Sequence, residues 1–230
     1  MLKDIEAVIF DIDGTLVDSM RVWTDIDDIF LEKYGLTEPE NFHEGMEGKS
    51  YSETAQYFLD LFPSLPHTRE ELEQEWHEMA FEIYTKQLRL KPGAREFITE
   101  MHEKGIKLGI ATSNNRDLAE GFLKNNNVLG YFGSIWTACE AKAGKPDPAV
   151  YLSVAKSLGV SPEKCLVFED VPMGILAGKN AGMKVCAVDD WFSKPQEEKK
   201  RTLADYYIQD YHDIKKKTYE VLKENHFEEV

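Results

Sequence analysis

The stretch Ala7-Val8-Ile9-Phe10-Asp11-Ile12-Asp13-Gly14-Thr15 sets an unbroken apolar run directly against two carboxylates and a glycine. A run without polar alternation reads as a strand covered on both faces, and the glycine lets the chain turn sharply once the strand ends. Working outward, similar β-branched runs recur at Lys107 to Ala111, Cys165 to Phe168 and Lys184 to Val188, and more weakly at Ser134 to Thr137 and Tyr206 to Ile208. Most are followed by turn residues and a helical pattern. That alternation predicts an α/β fold, a doubly wound parallel sheet. The first two strong strands end at Asp11 and Ala111, roughly 100 residues apart, where a βαβ unit needs only about 30. Something is inserted between them.

The insertion reads as helix. Ser19 to Tyr34 is stopped by Gly35, Ser50 opens a second helix with Glu53 three residues on, and Thr68 opens a third with Glu71 in the matching place. In the third, Leu72, Trp76, Met79 and Ile83 form an apolar stripe, while Glu70, Glu73, Glu75 and Glu78 are expected to face water. Lys91-Pro92-Gly93 marks the return, before a helix from Ala94 to Lys104 capped by Gly105. The expected division is an α/β core of residues 1–17 and 91–230 with a helical cap at 18–90. The tail after about Ile214 reads as a solvated helix or frayed terminus.

Composition narrows the function. The 27 Lys and Arg against 42 Asp and Glu give a net charge of −15, which repels nucleic acid and anionic membranes. No run reaches the roughly 18 apolar residues of a membrane span. The N-terminus lacks a basic region leading into a signal core, so the chain is expected to start here and to be cytoplasmic. Cys139, Cys165 and Cys186 have no metal-like spacing and read as reduced thiols. A monomer or weak dimer is expected.

Four clusters lie at strand ends or in the adjoining loops, the ligand-binding edge of open α/β sheets: Asp11-Ile12-Asp13-Gly14, Thr112-Ser113-Asn114, Gly144-Lys145-Pro146-Asp147-Pro148 and Phe168-Glu169-Asp170. Each alone has a plain reading as a turn, a helix cap or a solvated strand end. Together they do not, because Asp11, Asp13, Glu169 and Asp170 carry a formal −4 against +1 from Lys145, and converging carboxylates oppose each other's ionisation. Oxygen ligands shared with a phosphate favour Mg²⁺. Thr112, Ser113 and Asn114 offer hydroxyls and backbone amides to a phosphate's oxygens. Asp11 is then free to attack phosphorus, and Asp13 is placed to move the proton.

The order and form of these clusters resemble the haloacid dehalogenase superfamily, and the helical insert resembles its type-1 cap group, that of the β-phosphoglucomutase-like phosphatases. The resemblance rests on Phe10 to Ser19, Gly144 to Pro148 and Phe168 to Gly182. It implies a Rossmann-like core, Asp11 as nucleophile and Asp13 as general acid and base. Phosphate binding falls to Thr112 and Lys145, and Mg²⁺ to the Asp11 carboxylate, the Asp13 carbonyl and Asp170, with Glu169 near the metal or its waters. An Asp at position 13 implies phosphate esters. Hexose phosphate mutases of this kind commonly carry a His where this chain has Trp23; the indole is expected to remove a hydrogen-bonding group from the core-to-cap junction.

The expected function is hydrolysis of small phosphorylated metabolites, sugar or related alcohol phosphates, through an aspartyl phosphate. A phosphomutase is the first alternative, and a non-catalytic binding protein the second. Gly45 to Ser50 reads as a flexible polar loop whose Lys49 is a candidate substrate contact. Trp76 and Met79 read as packing, and Asp189-Asp190 as a solvated strand end.

Overall fold

The computed structural model describes residues 1–223; the Glu-rich end of the expected solvated tail lies outside them. Among the described residues, seven strands form one sheet: β1 (Ala7–Phe10), β2 (Lys107–Thr112), β3 (Ser134–Thr137), β4 (Cys165–Glu169), β5 (Lys184–Val188), β6 (Tyr206–Ile208) and β7 (Glu220–Val221). The order is β3-β2-β1-β4-β5-β6-β7, parallel throughout except for β7 against β6. All four residues of β1 are fully buried. Val8 and Phe10 enter one core and Ala7 and Ile9 the other, as the period of two requires when both faces are covered. The edge strand β7 was not expected from the tail's charge. It pairs Tyr206 with Val221, and Leu222 N–H reaches the Asp205 carbonyl.

Between β1 and β2 lie α1 (Met20–Tyr34), α2 (Phe42–Met46), α3 (Tyr51–Leu61) and α4 (Arg69–Glu82), the last running into a π-helical turn at Ile83–Gln87. Ser50 and Thr68 both form complete capping boxes with Glu53 and Glu71. Gly45 and Met46, expected in a loop, belong to α2. Glu75 departs from the water-facing expectation: its carboxylate takes bonds from Lys33 Nζ (3.0 Å) and Tyr34 Oη (2.9 Å), with His67 at 3.1 Å. The chain leaves and re-enters the sheet region side by side, since Val17 bridges Leu90 and Lys91 N–H bonds the Leu16 carbonyl.

The remaining helices are α5 (Ala94–Glu103), α6 (Arg116–Asn125), α7 (Ala138–Ala141), α8 (Ala149–Leu158), α9 (Pro172–Asn180), α10 (Glu197–Leu203) and α11 (His212–Lys216). Chain order reverses direction across the sheet between β1 and β4. Their carboxyl ends therefore bound a crevice that no crossover helix covers.

Candidate active site

Parallel register brings the acids together. Phe10 lies opposite Phe168, and Asp11 N–H extends the ladder to the Phe168 carbonyl at 3.1 Å, so Asp11 and Glu169–Asp170 leave adjacent strand ends. Gly14, at φ 77°, carries the turn after β1, and a Cβ there would stand 2.2 Å from Asp170 Oδ2. Only glycine allows both that backbone and that approach. Lys145, in the loop between α7 and α8, is buried; its ammonium donates to Asp11 Oδ1 at 2.6 Å and to Glu169 Oε1. Tyr151 Oη also donates to Glu169 Oε1 (2.6 Å), and Thr15 Oγ1 to Asp170 Oδ1 (2.9 Å).

Burial holds the Asp11 carboxyl well above its ordinary range; Lys145 opposes this, and Glu169, Asp170 and Asp13 add to it. Asp170 is pushed up to about 7, first by burial, then by Glu169 and Asp190, with Lys200 and Lys91 opposing. Burial would lower the Lys145 ammonium, but Asp11 and Glu169 outweigh it and its pKa rises. The cluster is short of positive charge. Asp11, Glu169 and Asp170 each offer an oxygen within 4.8 Å of the others. Asp170 Oδ2 is buried with no hydrogen-bond partner among the described residues. Hard oxygen donors with one orphaned anionic oxygen fit a divalent cation.

Asp13 is held separately from this cluster. Oδ1 accepts from Ser19 Oγ (2.5 Å) and from Tyr84 Oη, while Oδ2 accepts from Asn114 Nδ2 (2.8 Å). Tyr84 itself accepts from Trp23 Nε1 at 2.6 Å. A cavity of about 450 Å³ opens over Asp11, Asp13, Lys145 and Asp170 and is roofed by the helical insert.

The profile of the haloacid dehalogenase-like hydrolase family matches residues 8–188. The chain belongs to that family. It is similar to a phosphorylated carbohydrates phosphatase of Thermotoga maritima, 33% identical over 78% of this chain and 83% of that protein. It is likewise similar to a probable pseudouridine-5′-phosphatase of Drosophila melanogaster, 31% identical over 83% and 84%. Its fold matches the crystal structure of CbbY from Rhodobacter sphaeroides in complex with phosphate, with a TM-score of 0.80 at 22% identity over 91% of this chain and 96% of that one. By that kinship the chain is a phosphoric monoester hydrolase, and the acidic cluster fits the divalent metal of such enzymes.

Other sequence-predicted residues of the hydrolase fall as follows. Ser113, Asn114 and Lys49 line the cavity, with Lys49 Nζ 5.7 Å from the Tyr57 ring centroid. The Thr112 hydroxyl is buried and accepts Asn114 N–H at 3.1 Å. Two expectations are corrected. Trp23 does not remove a hydrogen-bonding group from the junction; its indole N–H supplies one, to Tyr84. Asp189-Asp190 is no solvated strand end. Asp190 is buried against Lys91 Nζ at 2.8 Å, and Asp189 accepts from Tyr207 Oη (2.5 Å) and Lys194 Nζ (2.9 Å).

Tyr84 and Tyr151 are the site residues that pattern reading missed. The buried positions of α4 are Leu72, Trp76 and Ala80, followed by Tyr84 in the π-turn. A spacing of four throughout is wider than the 3.6-residue period used to place Met79 and Ile83 inward. The signal was present in the sequence as a repeat of four that continues past Glu82 into the π-helical turn.

Proposed function

We propose that this hydrolase is a Mg²⁺-dependent phosphatase of small phosphorylated metabolites, sugar or related alcohol phosphates, working through an aspartyl phosphate on Asp11. The observation that carries the reading is the buried Asp11 carboxylate, paired with Lys145 beside the orphaned Asp170 oxygen, at the floor of a cavity. The similarity to phosphatases of phosphorylated carbohydrates and of pseudouridine 5′-phosphate supports the substrate class.

In this reading residues 18–90 form a cap over a core of 1–17 and 91–230. Mg²⁺ would be held by the Asp11 carboxylate, the Asp13 main-chain carbonyl and Asp170, with Glu169 fixing Lys145 beside them. When bound, the ion offsets the charge on the acids and on the phosphoryl oxygens. Asp11 attacks phosphorus; the bond to the alcohol oxygen breaks, and Asp13 delivers a proton to that oxygen. Asp13 then takes a proton from water as the water attacks the aspartyl phosphate, releasing phosphate and restoring Asp11. Lys145 and the Thr112–Asn114 loop hold the phosphoryl oxygens with donors oriented in advance. The cap excludes water while the ester is seated.

The test is release of inorganic phosphate from p-nitrophenyl phosphate with Mg²⁺. EDTA should abolish it, Asp11→Asn should remove it, and Asp13→Asn should lower it by about 10² to 10⁴. Unchanged rates in either variant refute the roles, and no release from the wild type refutes this reading. A hexose 1-phosphate converted to its 6-phosphate faster than it yields free phosphate makes the enzyme a mutase.

A further inference from the structure

The two acids at the end of β4 differ in what their oxygens are free to do. Glu169 is fully buried, and its carboxylate is saturated with donors from the protein. Oε1 accepts from Lys145 Nζ and from Tyr151 Oη at 2.6 Å, while Oε2 accepts from the N–H groups of Asp170 at 3.0 Å and Val171 at 3.4 Å. An ionised carboxylate has about four acceptor sites, so none is left over. Asp170 differs: Thr15 takes Oδ1, and Oδ2 has no partner among the described residues. Among the same residues, Asp11 accepts a side-chain bond only at Oδ1. A cation drawn to Glu169 would have to displace a hydrogen bond already made in a buried site, whereas at Asp170 and Asp11 it displaces none.

Tyr151, on α8, touches both members of the Lys145–Glu169 pair. Its hydroxyl supplies one of the two bonds on Glu169 Oε1, and Lys145 Nζ stands over its ring, 5.5 Å from the centroid. An ammonium has three N–H groups. Two are directed at Asp11 and Glu169, which leaves one in a residue that lines the cavity. Glu169 also has an oxygen within 4.8 Å of oxygens of Asp11 and Asp170, near enough to join an ion held there if a donor were taken from it.

We propose that Tyr151 is a positioning residue: its hydroxyl reserves Glu169 for Lys145, so that the divalent ion is left to Asp11, Asp170 and the Asp13 carbonyl, and the ammonium keeps one N–H aimed for a phosphoryl oxygen. The inference rests on the phosphatase reading for the identity of the ion and of the phosphate. Without the hydroxyl, Glu169 Oε1 has an open acceptor site that the ion can take, and Lys145 then loses one of the two acceptors that orient it.

The experiment is calorimetric titration of the wild type and Tyr151→Phe, first with Mg²⁺ and then with inorganic phosphate at saturating Mg²⁺. The substitution removes one hydroxyl and keeps the ring. Phosphate affinity should fall about threefold or more, the scale of one hydrogen bond to a charged group, while Mg²⁺ affinity holds or rises. The opposite is expected if Tyr151 instead supports a metal ligand, because removing such a partner costs about 10- to 100-fold in metal affinity. A general loosening of the site lowers both affinities together. Any loss of Mg²⁺ affinity, or a smaller change in phosphate affinity, overturns the proposal. Binding is read apart from turnover: the expected pattern without phosphate release by the wild type keeps the role of Tyr151 and sinks the phosphatase reading, whereas release with the opposite pattern does the reverse.

Discussion

Asp27→Asn should stabilise the hydrolase against unfolding, and by more at pH 8 than at pH 5. Burial, with Asp28 and Glu38 adding, pushes the Asp27 carboxyl from 3.8 up to about 7. A carboxyl raised on folding contributes stability that is fully present below its unfolded value and is lost as pH rises through its folded value. The shift of roughly 3 units at 1.36 kcal/mol each makes the full loss on the order of 4 kcal/mol. Between pH 3.8 and 5 somewhat more than one unit is spent, so about 3 kcal/mol remains to be lost between pH 5 and 8. The Asn side chain has the same shape and no charge to desolvate, so the variant lacks this contribution. Urea unfolding of both proteins at the two pH values measures the difference directly, as a change in midpoint at constant m. A stability gap between variant and wild type that is the same at pH 5 and pH 8, or a variant less stable at pH 8, refutes the argument.

Tyr84→Phe removes one donor from Asp13 and leaves the ring in place, so it should cost kcat/KM at least about tenfold more for an alkyl phosphate, whose leaving oxygen needs a proton, than for p-nitrophenyl phosphate. An equal loss on both makes Tyr84 structural only. Gly14→Ala puts a methyl 2.2 Å from Asp170 Oδ2 at a positive φ; the rise in Tm on adding Mg²⁺ to EDTA-treated protein should disappear in the variant, as read by scanning calorimetry. Lys91→Met strands the buried Asp190 carboxylate and should cost about 3–5 kcal/mol in urea unfolding, most of it recovered by adding Asp190→Leu. A loss under about 1 kcal/mol would mean that Lys91 is not the counter-ion.

Strands were legible because β1, β2, β4 and β5 are buried on both faces, so their apolar runs have no competing reading. β7 was not: Glu220 and Val221 are exposed, and their pairing with Tyr206 and Tyr207 is set by tertiary placement. The convergence of Asp11, Lys145, Glu169 and Asp170 followed from their lying at or near strand ends on one edge of the sheet. Lys91 and Asp190 could not be read in the same way. They are 99 residues apart, and nothing local separates a buried Asp at a strand end from a solvated one. Trp23 was misread because its size was weighed and its single N–H was not.

The bonds to Asp13 explain why the insert and the sheet must act together. Asn114 reaches it from the loop after β2, Ser19 from the segment leading into α1, and Tyr84 from the far end of the insert, itself braced by Trp23. No one segment fixes the carboxylate, so its full set of donors exists only while the insert is seated on the sheet. The same seating ties the Glu47 carboxylate to Met173 N–H at 3.2 Å and Gln196 Nε2 at 2.7 Å, and the Tyr51 N–H to the Ser113 carbonyl at 3.0 Å. The side-chain bonds of Lys145, Asp11 and Asp170 come instead from the sheet and its loops, although the backbone of the Lys145 loop packs against Gly48 of the insert. Gathering charge at the strand ends and orienting Asp13, the proton carrier proposed above, thus rest on different contacts. The first draws its side-chain bonds from the sheet, and the second draws two of its three donors from the insert and the segment that leads into it.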